Sequence, residues 1–506
     1  MNGEGNGGSR SLTREQIVAS ASRERAVFIE AAPGSGKTTV AAQRFGAQRF
    51  TPPSLSDHRA VVAVSFTRAA TWELRQRVLR FWGPRAIAWP HRIVTLDTVM
   101  YDLLIDLLAT GLIEWPGGHC ELRVEDSWKV VASTAWRRDR YRIDLVDSKV
   151  TVAIEWLPDS GPHIPPAVVK DYAESGMCTH EDVRTVLELA LEREDVRDRV
   201  KARIAASMRA LIVDEVFDAN DLDLAIIELA LETDVYISLI GDPWQALYVF
   251  RGAKPEAVPE LVERTGMTPL PLTKSFRWRD PAQRALAADL RNGVGVTLDR
   301  VGDGGASAGA DVVLALTWKQ LWDAGAHVLP LAFSSPKGGT EEAAATLLLN
   351  HVSQLNLGEN ATYLSDALTT LGISDIDTPR HLEGGLQLVL ETLLEGGKDG
   401  TNAAYGKLVA VVKTVSPRTL RKAHHSHTGR LALIAERVAR TDKPVLGLTT
   451  HQAKGREWDV VGVRLTPEER GALAAGLKVT RDTDRKLYVA CTRARFRTVE
   501  VAHGLE

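Results

Sequence analysis

The stretch RAVFIEAAPGSGKTT, residues 25–39, decides how this chain reads. An apolar, strand-like run ends in a turn with two glycines, and the turn delivers Lys37 to the start of a helix. Glycines let backbone N–H groups approach an oxyanion, and a helix N-terminus favours negative charge. Within AAPGSGKTT (31–39), the residues Gly34, Ser35, Gly36, Lys37, Thr38 and Thr39 therefore read as a phosphate cradle. Lys37 would reach the β- and γ-phosphates and Thr38 would ligate Mg²⁺, which makes ATP and Mg²⁺ the expected cofactors. The usual first glycine of GxxxxGK[ST] is Ala31 here.

A second segment completes the cradle. In LIVDEVFDAND (211–221), Asp214 and Glu215 leave a hydrophobic strand together. One carboxylate, Asp214, suits the Mg²⁺ shell, and its neighbour Glu215 can orient and deprotonate a water. Two carboxylates after a strand are common by themselves. Their meaning comes from the phosphate loop upstream.

Working outward, short apolar runs recur between helical stretches. RAVFIEAA (25–32), AVVAVSF (60–66), ALIVDEV (210–216), VYISLIGD (235–242), HVLPLAF (327–333) and PVLGLTT (444–450) read as buried strands. They alternate with amphipathic helices over 68–81, 180–208 and 221–232. Such alternation predicts an α/β fold with parallel sheets covered on both faces. Ligand sites then fall at the carboxyl ends of the strands, where the polar motifs sit. Gly/Pro/Asp-rich breaks lie at 158–166, 292–311 and 395–402.

The 506 residues suggest three or four domains. The net charge of −3 gives no global basic field, so a nucleic-acid partner would be held by local patches. Three widely spaced cysteines without a CxxC argue against a disulfide framework or a zinc module and for a cytoplasmic location. The polar, glycine-rich start MNGEGNGGSRS reads as a disordered lead-in without an apolar signal core. No run of about 18 apolar residues suggests a membrane span.

Near the other end, RKLYVACTRAR (485–495) reads as strand-like residues running into Arg493 and Arg495. Arg277 lies in LTKSFRW (272–278). Guanidinium groups on a transferring phosphoryl group can accelerate hydrolysis ~10³-fold or more. If Arg277 and Arg493 both serve that purpose, the nucleotide is expected in a cleft between two α/β domains that closes on ATP and opens after hydrolysis. Arg495 reads as a solvated or DNA-facing charge.

In order along the chain, LTREQ (12–16), APGSGKTT, SFTRAATWELRQRV (65–78), VDEVFD, GDPWQALYVFRGA (241–253), LTKSFRW, THQAKGREWDVV (450–461) and RKLYVACTRAR resemble the UvrD/Rep/PcrA family of superfamily 1 DNA helicases. The resemblance implies two RecA-like P-loop domains, each carrying a mostly helical insertion. The expected boundaries are 1–96 with 200–271 (domain 1A), 97–199 (1B), 272–366 with 440–506 (2A) and a reduced 367–439 (2B). It implies ATP hydrolysis coupled to 3′→5′ movement on single-stranded DNA. Gln16 would read the adenine, with Phe276 stacking on it in place of a tyrosine. Glu457 would contact the ribose, Gln245 would couple the γ-phosphate to the DNA site, and Arg277 and Arg493 would be the two fingers. Phe66, Thr67, Tyr248, Phe250, Arg251 and His451 would contact the single strand. Stacking of bases on Tyr248 and Phe250 would tolerate any sequence.

Three departures stand out. Phe217 replaces a glutamine of the family, Phe250 replaces a tryptophan, and Asp97 stands where histidine is frequent. The short segment before PVLGLTT makes the chain resemble the helicase subunit of Gabija antiphage systems, which works beside an OLD-family ATPase-nuclease. With so few residues after Arg495, a fused nuclease is not expected. HHSH (424–427) lacks acidic or cysteine partners for a metal and reads as a solvated loop. AWRRDRYR, with Arg137, Arg138, Arg140 and Arg142, reads either as a duplex-phosphate grip or as a charged helix face. A helicase or translocase, a nucleotide-gated DNA-end sensor beside a nuclease, and a non-catalytic scaffold all remain open. The full set of Lys37, Thr38, Asp214, Glu215, Arg277 and Arg493 speaks against the scaffold.

Overall fold

The computed structural model describes residues 11–51, 57–125, 139–156, 166–302, 309–335, 339–375, 377–396 and 400–502. The chain divides into two compact units, one ending at Phe276 and the other beginning at Arg277.

The strands, in chain order, are β1 (Ala26–Glu30), β2 (Ala60–Ser65), β3 (Arg92–Thr95), β4 (Arg123–Glu125), β5 (Asp139–Val146), β6 (Lys149–Trp156), β7 (Met177–Thr179), β8 (Met208–Asp214), β9 (Tyr236–Gly241) and β10 (Thr268–Pro269) in the first unit. The second unit holds β11 (Arg300–Val301), β12 (Val312–Ala315), β13 (Val328–Pro330), β14 (Val445–Thr449), β15 (Trp458–Val463) and β16 (Ala494–Val501).

In the first unit six strands form one sheet in the order β10-β1-β9-β8-β2-β3. Every pairing in it is parallel. The residues of β2 and β8 are all buried, as expected for strands covered on both faces. Alternate side chains serve opposite layers. Val27, Ile29, Val61, Ala63 and Ile212 pack with Val40, Phe45 and Leu74 on one face. Phe28, Val62, Val64, Leu211 and Val213 pack with Leu103, Ile226 and Ile227 on the other. A slip of one residue would exchange these sets, so burial fixes the register. Because all strands point the same way, the loops after β1, β9, β8, β2 and β3 share one edge. That edge carries the phosphate loop, Gln245, the Asp214–Glu215 pair, Thr67 and Asp97.

The segment between β3 and β8 differs from the mostly helical insertion expected over 97–199. Helices Leu96–Ala109, Pro166–Glu174, His180–Ala190 and Glu194–Ser207 are joined by a β4–β7 parallel pair and a β5–β6 antiparallel hairpin. The hairpin turns at Asp147 and Ser148, both of positive φ. That is the primed-turn geometry that matches strand twist. The expected single helix over 180–208 is two, because the first ends at Ala190 and the second starts at Glu194. Arg142 lies on β5 and pairs with Asp144 at 2.9 Å, so it is on a strand and not a helix face. Arg137 and Arg138, and the side chain of Arg140, lie outside the described residues.

The second unit has its own parallel sheet, β11-β16-β15-β12-β14-β13. Beside it, helices Thr340–Leu357, Leu364–Leu371, Glu383–Glu395, Gly400–Lys413 and His425–Val438 share one apolar core around Leu348, Leu386, Leu408 and Leu431. RKLYVACTRAR is corrected here: it is not a strand running into arginines. Asp482–Cys491 is a helix and β16 starts only at Ala494. Asp482 and Asp484 in its first turn favour the helix, as does the Lys486–Asp482 pair one turn apart. Leu487 to Cys491 are all buried. The apolar run is the buried face of a helix.

Candidate functional site

The loop after β1 is held from several sides. Ala31 N donates to Gly241 O at 2.9 Å, and Ala32 N donates to Leu272 O at 3.0 Å. Ala31 thus sits in an extended bridge with Leu272, a geometry that tolerates a Cβ where the motif usually has glycine. Gly36 is different. Its φ is +87°, and a Cβ there would lie 2.8 Å from Gln16 Nε2. Glycine is favoured at this left-handed, crowded position. Helix Lys37–Phe50 starts directly after it.

Gln16 packs under the same loop. Its Nε2 donates to Ser35 O at 2.8 Å, and its Oε1 accepts from Thr13 N at 2.9 Å in a capping box. The amide expected to read adenine therefore also ties the first helix to the phosphate loop. Neighbouring residues extend this tie. Glu15 accepts from Thr273 N at 2.8 Å and from its hydroxyl at 2.7 Å, and these bonds hold the Glu15 carboxyl below its ordinary range. Ser275 Oγ donates to Pro33 O at 2.7 Å, and Phe276 N donates to Gly34 O at 2.9 Å. Residues 272–276 thus belong with the first unit's loop. The Phe276 ring has Lys274 Nζ 5.4 Å from its centre. Sequence reasoning named Gln16 and Phe276 but missed Glu15, Thr273 and Ser275. All three sit inside the quoted segments LTREQ and LTKSFRW, so adjacency was the available signal.

Lys37 is buried, with Nζ 3.3 Å from Glu215 Oε1. Thr39 Oγ1 accepts from Arg77 at 2.8 Å, so of the two threonines Thr39 is engaged with the neighbouring helix. Asp214 closes β8 and is buried. Burial and the adjacent Glu215 push its carboxyl upward, and the Lys37 ammonium partly offsets them. Glu215 has φ 61° and ψ 41°, a left-handed conformation. That costs a non-glycine residue roughly 1–2 kcal/mol, and such outliers cluster at functional sites. The turn swings Glu215 off the strand line toward Lys37. Hard oxygen donors at Thr38 and Asp214, with a buried ammonium beside them, are the set that suits a magnesium–phosphate group.

Gln245 follows β9 and is buried, its Nε2 donating to Asp242 Oδ2 at 2.8 Å. A few residues on, the rings of Tyr248 and Phe250 lie 6.0 Å apart. Arg251 is 5.3 Å from the first ring and 5.5 Å from the second. Phe250 is 65% exposed, an unusual position for a ring that would otherwise join the core. On the same edge Phe66 packs partly against the core, and Thr67 caps helix Arg68–Trp82 by accepting from Ala70 N at 3.2 Å.

The departures have physical explanations. Phe217 is buried edge-on against Phe28, centroids 6.1 Å apart. A Cβ on Gly241 would sit 2.6 Å from its ring, so Phe217 and Gly241 fit each other. Asp97 accepts from Arg184 Nε at 2.6 Å, and Arg184 also reaches Asp223 at 3.1 Å. Asp97 therefore joins the helices after β3, β7 and β8 by ion pairs.

Within the second unit, Arg277 is buried and donates to Thr492 O at 3.2 Å. Its Nε lies 3.3 Å from Glu457 Oε1. Arg495 Nε lies 3.3 Å from Glu457 Oε2, and its Nη1 lies 3.2 Å from Asp459 Oδ1. Arg495 is therefore paired within its own unit, while about a third of its side chain stays exposed. Burial pushes the Glu457 carboxyl up, but Arg277 and Arg495 outweigh it and hold the group below its ordinary range. Arg493 is fully buried, with Nε donating to Val489 O at 3.1 Å. It is no surface ion pair. His451 lies on the short helix Thr450–Ala453 after β14. Around HHSH, the His424 and His425 rings lie 3.9 Å apart, tilted by 46°, and His427 lies 6.0 Å from Tyr405. No metal-binding cluster of histidine, cysteine and carboxylate residues occurs among the described residues.

Residues 14–251 match the AAA domain family. The chain is also similar to the protein named "Putative ATP-dependent DNA helicase YjcD" of Bacillus subtilis (strain 168), 24% identical over 306 residues. That similarity covers 53% of this chain and only 37% of the relative's length. The AAA match spans the phosphate loop, the Asp214–Glu215 pair and the Tyr248–Phe250 segment, which follow β1, β8 and β9 of one sheet. The first unit is thus a P-loop α/β domain. Among the described residues no helix is long and apolar enough to cross a membrane.

Proposed function

We propose that this chain hydrolyses ATP with Mg²⁺ and uses the turnover to move on single-stranded DNA in the 3′→5′ direction. The observation that carries the reading is the cradle itself: Gly36 at φ +87°, followed at once by a buried Lys37 that lies 3.3 Å from Glu215. Bound there, a magnesium nucleotide supplies the phosphoanhydride and its charge neutralisation. The chain's own residues do the rest. Thr38 and Asp214 hold the metal shell, Lys37 faces the phosphates, and Glu215 takes a proton from the attacking water. Arg277 and Arg493 stabilise charge on the transferred group, and Glu457 contacts the ribose. Gln16 and Phe276 hold the base. Gln245 links the nucleotide to Tyr248, Phe250 and Arg251, which with Phe66, Thr67 and His451 hold the strand. Two RecA-like domains, 1A and 2A with insertions 1B and 2B, form the motor.

A second reading draws on Phe217. The family's glutamine at this position is a polar group beside the catalytic pair; here an apolar ring packs into the core. Weaker coupling of hydrolysis to movement fits a nucleotide-gated sensor of DNA ends that regulates an OLD-family ATPase-nuclease in antiphage defence. A strand-displacement assay on duplexes with 3′ or 5′ single-stranded tails separates the two. Displacement from the 3′-tailed substrate is the expected result. DNA-stimulated hydrolysis without displacement favours the sensor, and no response to DNA at all defeats both.

A further inference from the structure

The Glu457 carboxylate is divided between two guanidinium groups, one on each oxygen. Oε1 is 3.3 Å from Arg277 Nε, and Oε2 is 3.3 Å from Arg495 Nε. Arg495 is itself braced by Asp459 at 3.2 Å, and its backbone carbonyl accepts from Arg279 N at 2.8 Å. The chain Asp459–Arg495–Glu457–Arg277 therefore runs from an exposed carboxylate to the buried guanidinium. Each member has the opposite charge to its neighbours. Arg277 is 7% exposed, whereas both Glu457 and Arg495 are about a third exposed.

A carboxylate shared by two cations holds each less firmly than a carboxylate facing one. Arg277 must leave part of this hold if it is to act on a phosphate. We propose that Arg495 is a positioning residue: by drawing on Glu457 Oε2, it loosens the grip of Glu457 on Arg277 and so tunes the release of that guanidinium to the nucleotide. This rests on the reading of Arg277 given above. Arg495 touches neither nucleotide nor metal in the scheme and acts only through Glu457. Its aliphatic stem and its place at the start of β16 are unaffected by the charge argument, which makes the charge separable by substitution.

The test is steady-state ATP hydrolysis by the full chain with and without single-stranded DNA, for wild type, Arg495→Ala, Arg495→Lys and Arg495→Ala/Glu457→Gln. In Arg495→Ala, Glu457 is left to Arg277. kcat should fall about two- to fivefold, the scale of one partly exposed ion pair, while KM for ATP holds. Arg495→Lys should recover most of kcat, because it keeps the charge. Glu457→Gln should raise kcat again in the Arg495→Ala background when read at saturating ATP, which removes any loss at the ribose contact, because a neutral amide holds Arg277 less firmly than a carboxylate. An unchanged kcat in Arg495→Ala overturns the proposal. So does a loss that Glu457→Gln leaves in place, since that marks a merely structural strut.

A second readout does not need turnover. Hydrogen exchange at the Arg277 Nε–H, followed by NMR on the ¹⁵N-arginine-labelled chain, should slow in Arg495→Ala and quicken in Glu457→Gln. Equal exchange in all variants contradicts the proposal even if the wild type hydrolyses no ATP. Absence of hydrolysis in the wild type would count against the reading of Arg277 instead.

Discussion

Lys37 Nζ and Glu215 Oε1 face each other at 3.3 Å across the mouth of the phosphate loop. The ammonium is buried and the carboxylate is brought to it by a left-handed backbone. A buried ammonium without a counter-charge is costly, so Glu215 balances Lys37; on the proposed mechanism phosphate takes over that role. Glu215→Gln removes the balance and, on the proposed mechanism, the proton acceptor. Hydrolysis should fall ~10²- to 10⁴-fold, the scale of a lost general base, while ATP binds at least as tightly. Calorimetric titration beside single-turnover hydrolysis checks the split. Weaker binding in Glu215→Gln would refute this pairing.

Gly36→Ala tests the cradle's backbone. Alanine at φ +87° costs roughly 1–2 kcal/mol, and its Cβ would push on Gln16 Nε2. The tie from Gln16 to Ser35 should open, and ATP affinity should drop with a modest loss of thermal stability. Titration with a fluorescent ATP analogue and a melting curve measure both. Wild-type affinity in this variant would mean the loop conformation is not what binds phosphate.

Phe250→Ala addresses the exposed ring. Stacking is worth ~1–3 kcal/mol per base, so affinity for a poly-dT oligonucleotide should weaken about fivefold or more. Fluorescence anisotropy at fixed salt reads this directly. The same affinity in wild type and variant removes the Tyr248–Phe250–Arg251 group from the DNA site.

His91 gives the fold a pH signature. Its Nδ1 accepts from Val61 N at 3.0 Å, so the folded ring is neutral. Burial, with Arg49 and Arg209 nearby, pushes it down to about 4. The folded value lies below the unfolded one of about 6.5. The stability it contributes is complete above that value and is lost as pH falls from there toward 4. His91→Asn keeps an acceptor without the titration and should flatten this part of the profile. Urea unfolding at pH 7, 6 and 5 compares the two slopes. Parallel profiles would mean that His91 is not the titrating group.

Much of this was legible in the residues. AVFIEAAPGSGKTT gives a strand, a turn and a helix start because each local preference agrees with the fold. The same holds for LIVDEV, where an apolar run ends in two acids. What escaped is also instructive. The apolar run in RKLYVACTRAR has strand-like composition, yet its acidic lead-in and pair one turn apart favour a helix. The β5–β6 hairpin alternates Ile143 and Leu145 against Val150 and Val152, a period-2 signal that charged neighbours obscured. The Arg495–Glu457–Arg277 chain joins residues far apart in sequence. Spacing carries no trace of such a pairing; β15 beside β16 brings Glu457 to Arg495, and Arg277 joins them through its bond to Thr492 O.

On the proposed mechanism, Lys37 neutralises phosphate in a cradle whose occupancy answers to DNA. ATP hydrolysis by the purified chain, with Mg²⁺ and with or without single-stranded DNA, tests it most directly when wild type is set beside Lys37→Ala. DNA-stimulated hydrolysis is expected in the wild type, with none above background in the variant. A Lys37→Ala chain that hydrolyses ATP at the wild-type rate would contradict it.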